Sequence, residues 1–327
     1  MRQYRIRGES WPLKEPFVIS RMTQYTAEVA VVEISDGGVT GYGEVERADY
    51  FEPHLPNVLE ALEAARPHME AGMGRMDLLD AMPAGPARAA IDCALWDLEA
   101  KQAGKRVWEL AGLAAPKPLE TAYTLVLDRP EAMAAAAARN AHRPLLKLKL
   151  GGEGDVERVT AVRAAVPKAR LMVDANEAWT PNMLAPYIAA MAGLGVELIE
   201  QPLPRGADRA LAGVTRAVPV CADETCHDRA TLADVEGHYD FINIKLDKTG
   251  GLTEALLLAE EATAMGLGLM VGCMVGTSLA MAPAMLVGGL TQGFVDLDGP
   301  LLLARDREPG ITFEGSIMQP PPAAVWG

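Results

Sequence analysis

Between residues 120 and 297 the sequence repeats one short theme eight times: an apolar run, then a polar or helical stretch of comparable or greater length. Residues 120–127, 145–150, 169–174, 196–200, 218–223, 241–245, 267–272 and 293–297 read as strands. Helical patterns at 131–140, 156–166, 182–192, 229–236 and 252–265 fall between them. Parallel strands need a crossover of helix length. Eight strands joined by seven helical or helix-length segments within about 180 residues therefore predict a closed α/β barrel. An open doubly wound sheet is the competing architecture, but its Gly-rich dinucleotide loop does not follow the first strand.

The region before this repeat has a different grammar. Residues 4–9, 27–35 and 39–44 read as strands, the last two joined by Asp36-Gly37-Gly38, a hairpin signal, with 16–24 as a polar connector. Helical patterns follow at 55–71 and 86–103, the second ended by Gly104. Strands followed by helices predict an α+β module over residues 1–115, ahead of a barrel over 116–304. The short Pro-rich tail, 310–326, is expected to pack back on the first module. A formal net charge of −14 argues against nucleic acid or an anionic membrane as a partner. Four cysteines without zinc-type pairing read as reduced thiols, and no signal core or apolar span is seen, so a soluble cytoplasmic enzyme is expected. The five histidines, His54, His68, His142, His227 and His238, are expected at the surface without a catalytic role.

The chemistry lies at the strand ends. Lys147 and Lys149 sit two apart in an apolar run and so face the same way. Burial and mutual repulsion would pull their pKa values toward neutrality unless carboxylates compensate. In a barrel of this kind functional groups cluster at the C-terminal ends of strands. The last polar residues of successive strands are Lys149, Asp174, Glu200, Asp223 and Lys245, at intervals of 25, 26, 23 and 22 residues, one βα unit each time. A single Asp ending a strand also reads as a helix cap or turn residue; three in successive units, each closing an apolar run, point to a site. Three convergent carboxylates call for a cation, and all-oxygen ligands suit Mg²⁺. With Lys149 and Lys245 facing a substrate from two sides, the arrangement suits removal of a proton α to a carboxylate and its return on the other face, with an enediolate between.

The set Lys147-Leu148-Lys149, Asp174-Ala175-Asn176, Glu200-Gln201-Pro202, Asp223-Glu224 and Asn243-Ile244-Lys245 resembles the enolase superfamily, in its muconate lactonizing enzyme subgroup. The resemblance implies a modified TIM barrel, (β/α)7β, under an N-terminal α+β capping domain completed by about residues 305–327. It implies Asp174, Glu200 and Asp223 as Mg²⁺ ligands, Lys149 and Lys245 as the acid/base pair, and Lys147 as an assistant to the first base. Two further stretches resemble the dipeptide epimerases of that subgroup. Asp296 and Asp298 would present paired negative charge to a substrate ammonium, although Gly299-Pro300 after them also reads as a turn. Arg21 resembles the capping-loop arginine that grips a glutamate side chain, with Met274 and Thr277 at the strand 7 end as further substrate contacts. The implied activity is epimerisation of Ala-Glu-type dipeptides at the C-terminal residue. N-acylamino acid racemisation is the alternative, ahead of muconate cycloisomerisation or o-succinylbenzoate synthesis. Oligomeric state is left open.

Overall fold

The computed structural model describes residues 2–47 and 57–327; His54 and the start of the helix expected from Leu55 lie outside these residues. Three antiparallel strands open the chain: β1 (Gln3–Val18), β2 (Thr23–Asp36) and β3 (Val39–Glu46), in the order β1-β2-β3. β1 is far longer than the sequence suggested, and β1 and β2 together absorb five of the nine residues of the expected connector. Pro12 and Pro16 suggest a loop, yet β1 is an edge strand, where a missing N–H is harmless, and a register shift between Pro12 and Phe17 accommodates the irregularity. What remains of the connector is a tight tip at residues 19–22, closed by Ile19 N–H on the Met22 carbonyl (3.1 Å).

Helices α1 (Val58–Glu70) and α3 (Pro86–Ala103) cover one face of that sheet, and α2 (Arg75–Ala81) packs on α3. Val32, Ile34, Leu62, Met69, Ile91 and Leu95 fill the space between them. α3 approaches β3 very closely: a Cβ on Gly43 would lie 2.0 Å from the Ala90 carbonyl oxygen, so only glycine fits. The other side of α3 faces the barrel. Arg88 donates to the Thr249 and Gly250 carbonyls, and Asp92 accepts from Thr253, so the module is bolted to the barrel at residues 249–253.

After a short helix (Val107–Leu110) and strand β4 (Leu119–Glu120), the repeat forms an eight-stranded parallel sheet: β5 (Tyr123–Leu125), β6 (Leu145–Lys149), β7 (Arg170–Asp174), β8 (Val196–Glu200), β9 (Val220–Ala222), β10 (Phe241–Ile244), β11 (Gly268–Gly272) and β12 (Phe294–Asp296). Ala122 N–H donates to the Val295 carbonyl (2.8 Å), joining last strand to first and closing the barrel. Five crossovers carry helices of ten or more residues; β8 to β9 has only a 3₁₀ turn, Asp208–Leu211, and the helix expected at 229–236 is a 3₁₀ turn followed by Leu232–Val235. Strands β13 (Phe313–Glu314) and β14 (Ile317–Met318) pair with β4, while Trp326 and Gly327 hydrogen-bond to Cys93 and Asp97 of α3. The tail thus spans both parts. Among the described residues no helix is long and apolar enough to cross a membrane, and all four cysteines are free thiols.

Candidate active site

The period of two along each strand sorts the barrel interior into a plug and a mouth. Leu145, Met172, Leu198, Cys221, Met270 and Phe294 meet in one apolar layer. Two or four residues further on, the same inward face carries Lys147 and Lys149, Asp174, Glu200, Asp223 and Asp296. The charged residues are thus gathered by strand geometry above a dry floor. Lys245 follows β10 on the same register, and Gly272 makes room for it: a Cβ there would lie 3.0 Å from Lys245 Cε and 2.7 Å from the Asn243 amide.

Asp174, Glu200 and Asp223 are wholly buried, and Lys147, Lys149 and Lys245 are 1, 7 and 5% exposed. Lys149 Nζ donates to Asp174 Oδ2 (2.6 Å) and Lys245 Nζ to Asp223 Oδ2 (2.7 Å). Lys147 Nζ lies among three acids: Glu200 Oε2 at 2.6 Å, Asp296 Oδ2 at 2.7 Å and Asp174 Oδ2 at 3.3 Å. Lys149 and Lys245 stand on β6 and at the end of β10, four strands apart in a closed ring of eight, hence on opposite walls. Two adjoining cavities lie between them under the hairpin tip, and Lys149, Lys245, Phe17, Cys273, Met274 and Val275 line both.

For Lys147 the carboxylates supply the compensation without which burial would pull it toward neutrality. Burial does oppose the charge on Lys147 and Lys245, but Asp296 and Glu200 for the first, and Asp223 and Glu200 for the second, outweigh it and raise both pKa values. Burial likewise opposes ionisation of Asp174, yet Lys149 and Lys147 hold it down to about 2. Glu200 is pushed up to about 7 by burial and by the Asp174 charge.

Four contacts were not anticipated. Lys248 is 4% exposed, and its ammonium donates to Asp223 Oδ1 (2.7 Å) and to the carbonyls of Asp223, Cys226 and Asn243 (2.5, 2.8 and 2.9 Å). The Asn243 amide donates to Glu200 Oε1 (2.8 Å). Gln201, at φ +32, accepts from the backbone N–H groups of Asp223 and Thr225 (2.9 and 3.1 Å). His227 is buried, against expectation, with Nε2 2.9 Å from the Glu224 carbonyl oxygen. The signal for Lys248 was present in Lys245-x-x-Lys248: the short helix Leu246–Thr249 turns the second lysine back beneath the first.

The expected substrate residues divide. Arg21, at the hairpin tip, lines the larger of the two cavities and is gripped by Glu177 and by Glu224 (2.5 Å), carboxylates that follow β7 and β9. Asp296 and Asp298 line the other cavity; Asp296 Oδ1 is buried without a hydrogen-bond partner, whereas Asp298 Oδ2 accepts the Thr124 N–H (2.7 Å). Met274 lines both cavities. Thr277 does not line either: its hydroxyl donates to Glu44 (2.5 Å) and its side chain caps helix Ser278–Gly288, a structural use that draws it away from the mouth. The donor set of Asp174, Glu200 and Asp223 is hard oxygen throughout, which fits a hard divalent cation. Lysines contact these oxygens here, and among the described residues no three acidic, histidine or cysteine side chains close around one point.

Residues 1–112 match the mandelate racemase / muconate lactonizing enzyme N-terminal domain, and residues 131–322 match the enolase C-terminal domain-like family. The chain is 44% identical to L-Ala-D/L-Glu epimerase of Escherichia coli over 96% of its own length and 98% of that protein. It is 45% identical to N-acetyl-D-glutamate racemase of a Pseudoalteromonas species over 77% of its length and 79% of that protein. Among solved structures it resembles an enolase family member of Agrobacterium tumefaciens with homology to dipeptide epimerases, bound to sodium and L-Ala-L-Glu (48% identity, TM-score 0.97, all of both chains). It also resembles the dipeptide epimerase of Enterococcus faecalis complexed with Mg and L-Leu-L-Tyr (31% identity, TM-score 0.89, 97% of this chain and 96% of that one). The capping module, the barrel and the strand-end charges are accounted for together: the chain belongs to the enolase superfamily, in its mandelate racemase / muconate lactonizing enzyme branch.

Proposed function

We propose that the chain is an Mg²⁺-dependent epimerase of Ala-Glu-type dipeptides, inverting the α-carbon of the C-terminal residue. The observation that carries this reading is the pair of lysines on opposite barrel walls lining shared space, each already hydrogen-bonded to a carboxylate. Asp174, Glu200 and Asp223 would hold the metal. When bound, Mg²⁺ supplies the Lewis acidity that stabilises negative charge drawn onto the substrate carboxylate. Lys149 or Lys245 removes the α-proton at its Nζ, and the other lysine delivers a proton to the opposite face, which inverts the centre. Lys147 adds positive charge beside the first base. Arg21 binds the γ-carboxylate of the substrate in exchange for its present acidic partners, and Asp296, with one oxygen unpartnered, receives the ammonium end together with Asp298. Met274 packs on the substrate from the β11 side.

Incubation of L-Ala-D-Glu and of L-Ala-L-Glu in deuterium oxide with Mg²⁺ tests this. Proton NMR should show loss of the glutamate α-proton and appearance of the other epimer. Silence with both isomers at every Mg²⁺ concentration removes the dipeptide reading. One observation favours racemisation of N-acylglutamate as a second reading: Asp298 is committed to Thr124, and burial together with the Asp296 charge lifts it to about 7, so its grip on an ammonium is weakened. Turnover of N-acetylglutamate without turnover of either dipeptide decides for that reading.

A further inference from the structure

A third cleft, of about 630 Å³ including open solvent, lies outside the catalytic cavity, between β1, β5 and helix Pro130–Arg139. Phe17, Thr124 and Leu302 line both this cleft and the part of the catalytic cavity that contains Asp296 and Asp298. Thr124 is the link: its backbone N–H holds Asp298 on one side while the residue borders the cleft on the other. The cleft therefore begins one residue beyond the carboxylates assigned to the amino end of the substrate. Leu13, Leu125 and Ala136 give it apolar walls. Its rim carries Lys14, Arg139 and one acid, Glu15, a cationic balance in an otherwise strongly acidic protein. Lys14 spends one N–H on the Leu301 carbonyl (2.9 Å), and Arg139 is exposed and forms no ion pair among the described residues.

We propose that this cleft is a subsite for a substituent on the substrate's amino nitrogen, taking a short acyl chain that ends in a carboxylate, so that N-acylated dipeptides are substrates as well as free ones. The inference rests on the dipeptide reading above. An amide N–H in place of the ammonium still donates to Asp296 Oδ1. The methylene chain passes Phe17 and Leu302 into the apolar part of the cleft, and the terminal carboxylate meets Arg139 and Lys14, where bidentate pairing with the guanidinium is open.

The test compares L-Ala-D-Glu with N-succinyl-L-Ala-D-Glu by α-proton exchange in deuterium oxide, using the Mg²⁺-loaded enzyme and two variants on helix Pro130–Arg139. The wild type should exchange the succinyl dipeptide with kcat/KM within tenfold of the free dipeptide. Ala136→Trp, which fills the cleft, should lower kcat/KM for the succinyl dipeptide at least tenfold and leave the free dipeptide within twofold. Arg139→Glu, at an exposed position, should raise KM for the succinyl dipeptide about three- to tenfold with no change for the free one. Exchange of the free dipeptide but not of the succinyl dipeptide overturns the subsite and leaves the function standing. Equal losses for both substrates in Ala136→Trp also overturn it. Exchange of neither substrate by the wild type removes the dipeptide function and the subsite with it.

Discussion

Lys248→Met is the most informative single change outside the reacting groups. The ammonium of Lys248 meets four oxygens, one more than it has hydrogens, and all lie within 2.9 Å. It is one of two lysines that neutralise Asp223, since Lys245 holds the other carboxylate oxygen. Removing one partner of a buried ion pair costs roughly 3–5 kcal/mol because the remaining charge is stranded. Lys245 stays in contact with Asp223, which offsets part of that loss, so about 2–4 kcal/mol is expected. Against a typical total of about 5–15 kcal/mol the variant should fold but melt earlier. The pH dependence carries the sign. Burial works against charge on Asp223, and Lys245 and Lys248 more than offset it, holding its pKa well below the ordinary value. A depressed folded pKa means stability that is present above the unfolded value, near 3.9, and lost as pH falls through the folded one. The gap between wild type and variant should therefore be full at neutral pH and narrow only in strongly acidic solution. Urea denaturation at pH 7 and at pH 3 measures both. A Lys248→Met protein within about 0.5 kcal/mol of wild type at pH 7 would refute the ion-pair reasoning, since that is the scatter of ordinary surface substitutions.

Three other outcomes are expected. Lys149→Ala and Lys245→Ala should each reduce turnover by at least about 10²–10⁴, the range of general acid–base catalysis, with unchanged circular dichroism; residual epimerisation near wild type in either would contradict two-base chemistry. Arg21→Met should raise KM for L-Ala-D-Glu about tenfold or more while leaving the Ala-Gln analogue nearly unaffected, as read from initial rates on both peptides. Burial drives Glu46 up to about 8, with Gln24 opposing. An acid with a raised folded pKa stabilises the fold fully below its unfolded value and loses that contribution as pH climbs through 8. Glu46→Gln should hence flatten the decline in melting temperature between pH 5 and 9, and an unchanged slope would show that Glu46 does not titrate there.

The parts of the site legible in the sequence were those that obey the strand period. Lys149, Asp174, Glu200 and Asp223 each end an inward-facing row, with Lys147 one step before Lys149, so spacing alone brings them to one mouth. Lys248 escaped because it sits on a one-turn helix after its strand, outside the strand period, and only the three-residue spacing from Lys245 hints that it turns back. Thr277 illustrates the opposite failure. It lies beside cavity residues in sequence, but Glu44, from the other module, claims its hydroxyl, and a partner 233 residues away leaves no local trace. The length of β1 was hidden by its prolines, which signal a loop unless one knows that the strand lies at a sheet edge.

Lys147 is a counter-ion shared between the two ends of the site. Its single ammonium serves two of the acids proposed to take the metal and, on its other side, Asp296, proposed to meet the far end of the peptide. A divalent ion drawing on Asp174 and Glu200 would loosen their hold on that ammonium and leave it leaning toward Asp296, altering the charge an incoming amine encounters. Occupancy at one end of the substrate is thereby felt at the other. Thermodynamic linkage then requires the influence to run equally in both directions, so that peptide affinity measured across a Mg²⁺ titration and Mg²⁺ affinity measured across a peptide titration must change by the same factor.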